Sequence, residues 1–264
     1  AALKSVRFKL PGRNSGTLYE RFKDLNDRKP LAANQDIPAA DLVTLSFLPK
    51  GESSGTVYLS YTATDEKGNV CDGQVRITAE PTPVSLYFTD LDNTVWAIPS
   101  INFLRTYDVV KGKGKKRFQP NDNLKRGDFV LMLARAFNFQ LNGSASFPDV
   151  PRNSYYAGAI AAAKSLGLIK GSGQNGSFRP EAEITRQEAA TILFRVLQRE
   201  QNLSAADLGY LTSYIDSGQI DTYAQTALAT LIRDGVFEGS GARLYPNTPL
   251  TRPQMAVILH RPIT

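Results

Sequence analysis

One unit recurs three times in this chain, and that recurrence limits the possible folds more than any other feature. Phe147 to Leu197 carries five landmarks in order. They are a turn at Phe147-Pro148-Asp149, an alanine-rich helix expected over Tyr155–Leu166, a glycine loop (Gly167, Gly171, Gly173, Gly176), a Phe178-Arg179-Pro180 corner, and Thr185-Arg186-Gln187-Glu188 opening a second helix to about Leu197. Upstream, Phe88-Thr89-Asp90, Trp96, Val110-Lys111-Gly112, Phe118-Gln119-Pro120 and Leu124-Lys125-Arg126 follow the same order. Downstream come Tyr214-Ile215-Asp216, Tyr223, Phe237-Glu238-Gly239-Ser240-Gly241, Leu244-Tyr245-Pro246 and Leu250-Thr251-Arg252. From turn aspartate to arginine the distance is 36, 37 and 36 residues. Chance does not hold five landmarks in register three times, so the region is a triplicated helical supersecondary unit. One copy has too little apolar surface to bury alone. Helix faces such as Ala189, Ile192, Leu193 and Val196, or Val257 and Ile258, require neighbouring copies.

The copies differ in how their second helices begin. Thr185 and Glu188 form the capping-box pattern, in which each side chain satisfies a free backbone N–H. Lys125 and Asp128 break it in the first copy. Thr251 and Gln254 still permit it in the third, with Pro253 in the first turn, where proline is tolerated. Pro99 likewise confines itself to the first turn of a helix expected over Trp96–Thr106. The third copy's last helix is expected to end by Pro262.

Residues 1–80 follow a period of two. Val6, Phe8 and Leu10 alternate with Arg7 and Lys9; Pro11–Gly16 is a turn cluster, and Thr17–Tyr19 resumes a strand. Residues 23–41 read as a long connection. Leu42–Leu48 and Gly55–Thr62 read as a strand pair around a turn at Pro49–Gly51, and Asp65–Asn69 as a hairpin turn before Gly73–Thr78. Short strands at this spacing predict a small β-sandwich.

Length leaves room for two domains, with 42% apolar and 21% charged residues in 264, an ordinary globular composition. The single cysteine, Cys71, excludes an internal disulfide framework. No apolar run is long enough to span a bilayer. The start, Ala1–Leu10, alternates like a strand and lacks an apolar signal core, which reads as a chain cut from a longer one. A formal charge of +6 and a pI near 9.3 suit a polyanionic partner.

Several residue groups invite a chemical reading. Asp90, Asp149 and Asp216 recur once per copy, whereas an active site needs distinct roles in one place; accepting N–H bonds to set the start of a helix is the expected role. Arg126, Arg186 and Arg252 stand at helix starts, where free N–H groups and the helix dipole favour an external anion; a solvated side chain or an ion pair with a neighbouring copy is the alternative. The glycine loops around Gly112, Gly171-Ser172 and Gly239-Ser240 carry no nucleotide-loop signature and read as helix stops that let backbone N–H groups approach a ligand. Trp96, Tyr155 and Tyr223 share one position, which reads as core packing, with stacking on a sugar face as the alternative. Lys111–Arg117 is a basic loop, either simply solvated or steering an anionic polymer. Catalysis finds no positioned set, because His260 is the only histidine and metal-ligand spacing is absent. No cofactor, metal, nucleic-acid reader or membrane span is expected.

The landmarks F-x-D, W-A-x-x-x-I, G-x-x-x-G, F-x-P and I-T-R-x-E resemble those of the S-layer homology family, over about residues 86–264 and most fully in the second copy. The resemblance implies a fold of β plus α type: a β-sandwich, itself similar to immunoglobulin- or cadherin-like surface modules, followed by an all-helical, pseudo-threefold trimer of repeats. The expected boundaries are 1–80, a linker at 81–85, and repeats at 86–140, 141–200 and 201–264. It further implies an extracellular, non-enzymatic wall anchor. Its ligand would be an anionic secondary cell wall polysaccharide, pyruvylated on N-acetylmannosamine, held in grooves lined by the arginines, aspartates, aromatics and glycine loops named above. An assembly module that contacts other copies of a surface-layer protein is the alternative.

Overall fold

The computed structural model describes residues 1–11, 15–22, 28–49, 55–79, 87–141, 147–171 and 174–263. Two compact units emerge, Ala1–Ser85 with Ile263–Thr264, and Leu86–Pro262. The linker 81–85, the stretch 142–146, the loop residues Ser172 and Gly173, and most of the first two expected turn clusters lie outside the described residues.

The first unit consists of two antiparallel sheets. One has the order β4-β1-β6-β7, from Asp36–Pro38, Leu3–Phe8, Gly55–Asp65 and Val70–Ala79; the other has β3-β2-β5, from Arg28–Pro30, Gly16–Phe22 and Ser46–Pro49. Alternation sends Leu18, Leu31, Ile37 and Leu59 into a shared apolar cluster, with Phe8, Phe47, Val57 and Ile77 packed against it. The expected hairpin at Asp65–Asn69 forms. Asp65 accepts from the N–H groups of Lys67 and Asn69, both at 2.8 Å, a side-chain turn that joins β6 to β7.

Two expectations fail in this unit. The long connection over 23–41 contains β3 and β4, three-residue strands too short to show a period. Leu42, Val43 and Thr44 belong not to a strand but to a 3-10 turn, Ala39–Thr44; the strand starts at Ser46. The Thr44 hydroxyl donates to the Asp41 carbonyl at 2.8 Å, a local bond that favours the turn over a ladder.

Among its described residues the second unit carries six α-helices, two per repeat: α1 (Ile98–Thr106), α2 (Arg126–Ala136), α3 (Ala157–Ser165), α4 (Arg186–Gln201), α5 (Thr222–Arg233) and α6 (Arg252–Ile263). Pro99 sits in the first turn of α1, as its missing N–H requires. Helix α6 runs past Pro262 to Ile263 rather than stopping there. Thr185 and Glu188 complete the capping box of α4, and Lys125 provides no side-chain cap for α2. The core contains Phe88, Phe118, Phe129, Phe178, Phe237, Leu104, Leu124, Leu133 and Ile160, all essentially inaccessible.

The repeats are tied to one another by backbone bonds that form a closed cycle. Leu124 N–H donates to the Leu250 carbonyl, Leu250 N–H to Ile184, and Ile184 N–H back to Leu124, at 2.8, 2.8 and 2.9 Å. These residues stand just before the three second helices. Each buried N–H is thereby satisfied by another repeat rather than by water.

Candidate functional site

The turn aspartates and the helix-start arginines meet at one place in each repeat, the Phe-x-Pro corner. Asp90 accepts from the N–H groups of Phe118 and Gln119 at 2.8 and 2.9 Å. Asp149 accepts from Phe178 and Arg179 at 2.8 and 2.6 Å, and Asp216 from Leu244 and Tyr245 at 2.9 and 2.8 Å. The second residue of each corner, Gln119, Arg179 or Tyr245, is left-handed, with φ of 58°, 59° and 53°. Such a conformation costs a non-glycine residue about 1–2 kcal/mol, and two charge-assisted bonds to one carboxylate offset it. This corrects the expected role of the aspartates: they brace a corner 28 to 30 residues ahead, not the start of a helix. Burial opposes ionisation of Asp216, but the bonds from Leu244 and Tyr245 and the charge of Arg243 hold its carboxyl below the usual range.

The arginines take the other side of the same corners, from the neighbouring repeat. Arg126 Nε donates to the Phe178 carbonyl at 3.0 Å, Arg186 Nε to Leu244 at 2.8 Å, and Arg252 Nε to Phe118 at 2.7 Å. Their guanidinium groups lie 4.8 Å over Phe178, 5.0 Å over Phe237 and 4.8 Å over Phe118. Exposure of only 4%, 8% and 3% makes them interior groups, and burial pulls the pKa of each down from the ordinary value. The latch runs from repeat one to two, two to three and three to one.

The helix starts are not open to an anion in the way the sequence suggested. Arg126 and Gly127 donate their N–H groups to Ala182 and Pro180, and Arg186 and Gln187 donate theirs to Thr248 and Pro246. Arg252 N–H reaches the Asp122 carbonyl, and Pro253 has no N–H to offer. The side-chain termini differ. Arg126 Nη1 pairs with Glu188 at 2.8 Å, and Arg186 Nη2 donates to the Glu238 carbonyl at 2.7 Å. Among the described residues the Arg252 side chain makes no hydrogen bond beyond Phe118 and no ion pair.

A second arginine in each repeat escaped the sequence reading. Arg135, Arg195 and Arg261 donate from Nη1 to the carbonyls of Val109, Leu168 and Val236, at 3.3, 3.1 and 3.4 Å. The signal was present, since each stands nine residues after a latch arginine.

Trp96, Tyr155 and Tyr223 are 52%, 66% and 53% exposed, which overturns the core reading of that position. The Tyr155 hydroxyl donates to Asp128 of the preceding repeat at 2.7 Å, and its ring packs edge-on to Tyr156 at 4.8 Å. Burial and the Asp128 carboxylate push that phenol above the usual range. Burial also raises the Tyr223 phenol, aided by Glu188 and Asp221 and opposed by Arg126 and Arg195.

Gly112, Gly171 and Gly239 hold the loop open to nothing larger. A Cβ at these positions would meet the carbonyl oxygens of Arg117, Gly176 and Arg243 at 2.7, 2.5 and 2.4 Å, so the glycines serve close backbone packing. Ser240 and Arg243 exchange backbone hydrogen bonds across a two-residue turn at the surface. His260 is buried, with Nδ1 3.0 Å from the Ser100 hydroxyl and its ring 4.4 Å from Phe103. Cys71 is a free, exposed thiol. Among the described residues no three metal-ligating side chains gather, and no helix is long and apolar enough to cross a membrane.

A triplicated helical unit with interlocked copies and exposed aromatics defines the second unit as a tandem-repeat module. The S-layer homology domain matches residues 87–130, 146–190 and 213–256, and the chain belongs to that family. It is 28% identical over 193 residues to an exoglucanase of Acetivibrio thermocellus, covering 71% of this chain and 17% of that protein. It is 28% identical over 172 residues to a 125 kDa surface-layer protein of Lysinibacillus sphaericus (64% and 14% covered). With the S-layer protein sap of Bacillus anthracis it shares 29% over 171 residues (64% and 20%). The chain thus spans a fifth or less of these relatives. Family membership assigns it to the cell surface, associated with the wall.

Proposed function

We propose that the chain is a noncovalent wall anchor whose three repeats bind an acidic secondary cell wall polysaccharide bearing ketal-linked pyruvate. The observation that carries the reading is the half-exposed aromatic that each repeat presents at the same position, in a family shared with surface-layer proteins. An aromatic face at half exposure suits a pyranose ring. The repeats form a pseudo-threefold arrangement, a reading supported by the cycle Leu124–Leu250–Ile184 and by the parallel latches. The two-sheet unit serves as an immunoglobulin- or cadherin-like spacer. The chain itself acts by binding, and the catalytic names among its relatives refer to whole proteins several times its length.

The test is calorimetric titration with a pyruvylated N-acetylmannosamine-containing wall fragment beside its unpyruvylated form. Trp96→Ala is the variant to use, because this side chain is half exposed and its loss leaves the latch intact. Pyruvate-dependent binding that weakens roughly tenfold in Trp96→Ala supports the anchor. Absence of binding to either form, together with concentration-dependent self-association, transfers the function to assembly between copies.

A further inference from the structure

The first repeat replaces the usual turn chemistry of its glycine loop with lysine. Arg117 N–H donates to the Gly114 carbonyl at 2.9 Å and Lys113 N–H to the Arg117 carbonyl at 2.9 Å, closing a two-residue hairpin turn. Its central residues, Lys115 and Lys116, are both left-handed, with φ of 45° and 54°. That turn favours Asn-Gly, because a side chain with a branching-free Cβ still clashes with its own backbone in the left-handed region. The corresponding loop of the second repeat uses Asn175 and Gly176, with φ of 60° and 72°. The third uses Gly241 and Ala242. Only the first repeat keeps two long cationic side chains at this strained tip.

The tip sits in a dense field of positive charge. Lys111, Lys113, Lys115, Lys116 and Arg117 occupy five of seven consecutive positions, and all five are exposed. Lys113 is paired with Asp122 at 2.9 Å. Among the described residues the other four have no ion-pair partner. The backbone beneath is pinned, with Thr89 N–H donating to the Lys116 carbonyl at 3.0 Å and Gly112 packed against Phe88 and Arg117. Four like charges held together repel one another, and the strained turn adds to that cost. The repulsion is relieved when an anionic chain lies across the tip.

We infer that the Lys115–Lys116 turn is a landing site for the backbone charges of an acidic polysaccharide, separate from the aromatic rim and indifferent to pyruvate. It would raise the rate and salt sensitivity of capture rather than select the sugar. The inference adds to the anchor reading and does not depend on the pyruvyl ligand, so its test uses a different probe, polygalacturonate, with neutral dextran as control.

Two double variants separate charge from strain. Lys115→Gln with Lys116→Gln removes the charge and keeps the left-handed backbone strained. Lys115→Asn with Lys116→Gly removes the charge and relieves the strain. Both variants should bind polygalacturonate roughly fivefold more weakly at low ionic strength, with a shallower salt dependence. Asn-Gly alone should also raise the unfolding temperature by about 2–4 °C. Unchanged polygalacturonate binding in both variants, or equal binding of dextran by the wild type, overturns the proposal. Retained binding of the pyruvylated fragment by both variants is expected, and its loss would merge the turn with the rim and overturn the separation.

Discussion

The seam between repeats and the rim around them follow different rules. At the seam the three copies repeat one another almost atom for atom: a carboxylate braces a left-handed corner from one side, and a buried arginine from the neighbouring repeat holds the carbonyl on the other. At the rim the copies diverge. Tryptophan gives way to tyrosine, Asp128 to Glu188 and Gln254, and Lys115-Lys116 to Asn175-Gly176. Uniform residues here mark what every interface must do to close the fold, while variable ones mark positions that closure leaves unconstrained. The arginines that a sequence reader would send to the ligand are largely committed to the fold.

The strongest way to break this comparison is to remove a seam arginine. Arg126→Ala leaves the Phe178 carbonyl without its donor and Glu188 without its ion pair. The expected loss is about 3–5 kcal/mol in denaturant unfolding of the helical unit, as for one partner of a buried pair. Lys125, one residue earlier, bonds Glu181 at 2.6 Å with both side chains about half exposed. Lys125→Ala should therefore cost less than about 1 kcal/mol. Similar losses for the two would mean that burial at the seam contributes nothing special.

Sequence and structure agree where the signal was local and periodic. The triplication, the capping box of α4, Pro99 in the first turn of α1 and the Asp65–Asn69 hairpin were all legible, because each depends on residues within a few positions of one another. The latch was only half legible. Spacing identified the right aspartates and arginines but not their partners, since Asp149 and Phe178 are joined by a bond across 29 residues and Arg126 and Phe178 by one across 52. The aromatics were misjudged for a related reason: Tyr155 precedes α3, and its hydroxyl partner Asp128 belongs to the neighbouring repeat, which no single-copy pattern displays. Strands β3 and β4 were missed because three residues cannot establish a period.

A smaller effect tests the place where the first and last repeats meet. His260 of α6 contacts Ser100 and Phe103 of α1 and has Arg261 beside it. Burial, with the charge of Arg261, lowers its pKa from 6.5 to about 4. Between those values the unfolded chain takes up a proton that the folded one refuses, so this group makes stability fall as pH drops from 6.5 to about 4. Two and a half pKa units convert to roughly 3 kcal/mol over that window at most. Asp216 acts at lower pH, because its depressed carboxyl loses its stabilising effect only as pH falls below the ordinary aspartate range. His260→Gln, which does not titrate, should flatten the pH 4–6.5 part of the profile and leave the more acidic part unchanged. A profile unaltered by the substitution would remove His260 from the seam's energetics.

The smallest effect belongs to the rim. Tyr155 is two-thirds exposed and donates to Asp128, itself at the surface. In Tyr155→Phe the carboxylate regains water in place of the phenol, so the expected change in stability is about 0.5 kcal/mol or less. The lost group should be visible in ultraviolet titration, where one raised phenol transition disappears because burial and Asp128 hold that proton. A loss as large as that of Arg126→Ala would make the rim part of the fold. The aromatic position would then no longer be free to vary among copies, and the distinction between the surface that closes the repeats and the surface proposed to meet the wall would fail at its most exposed residue.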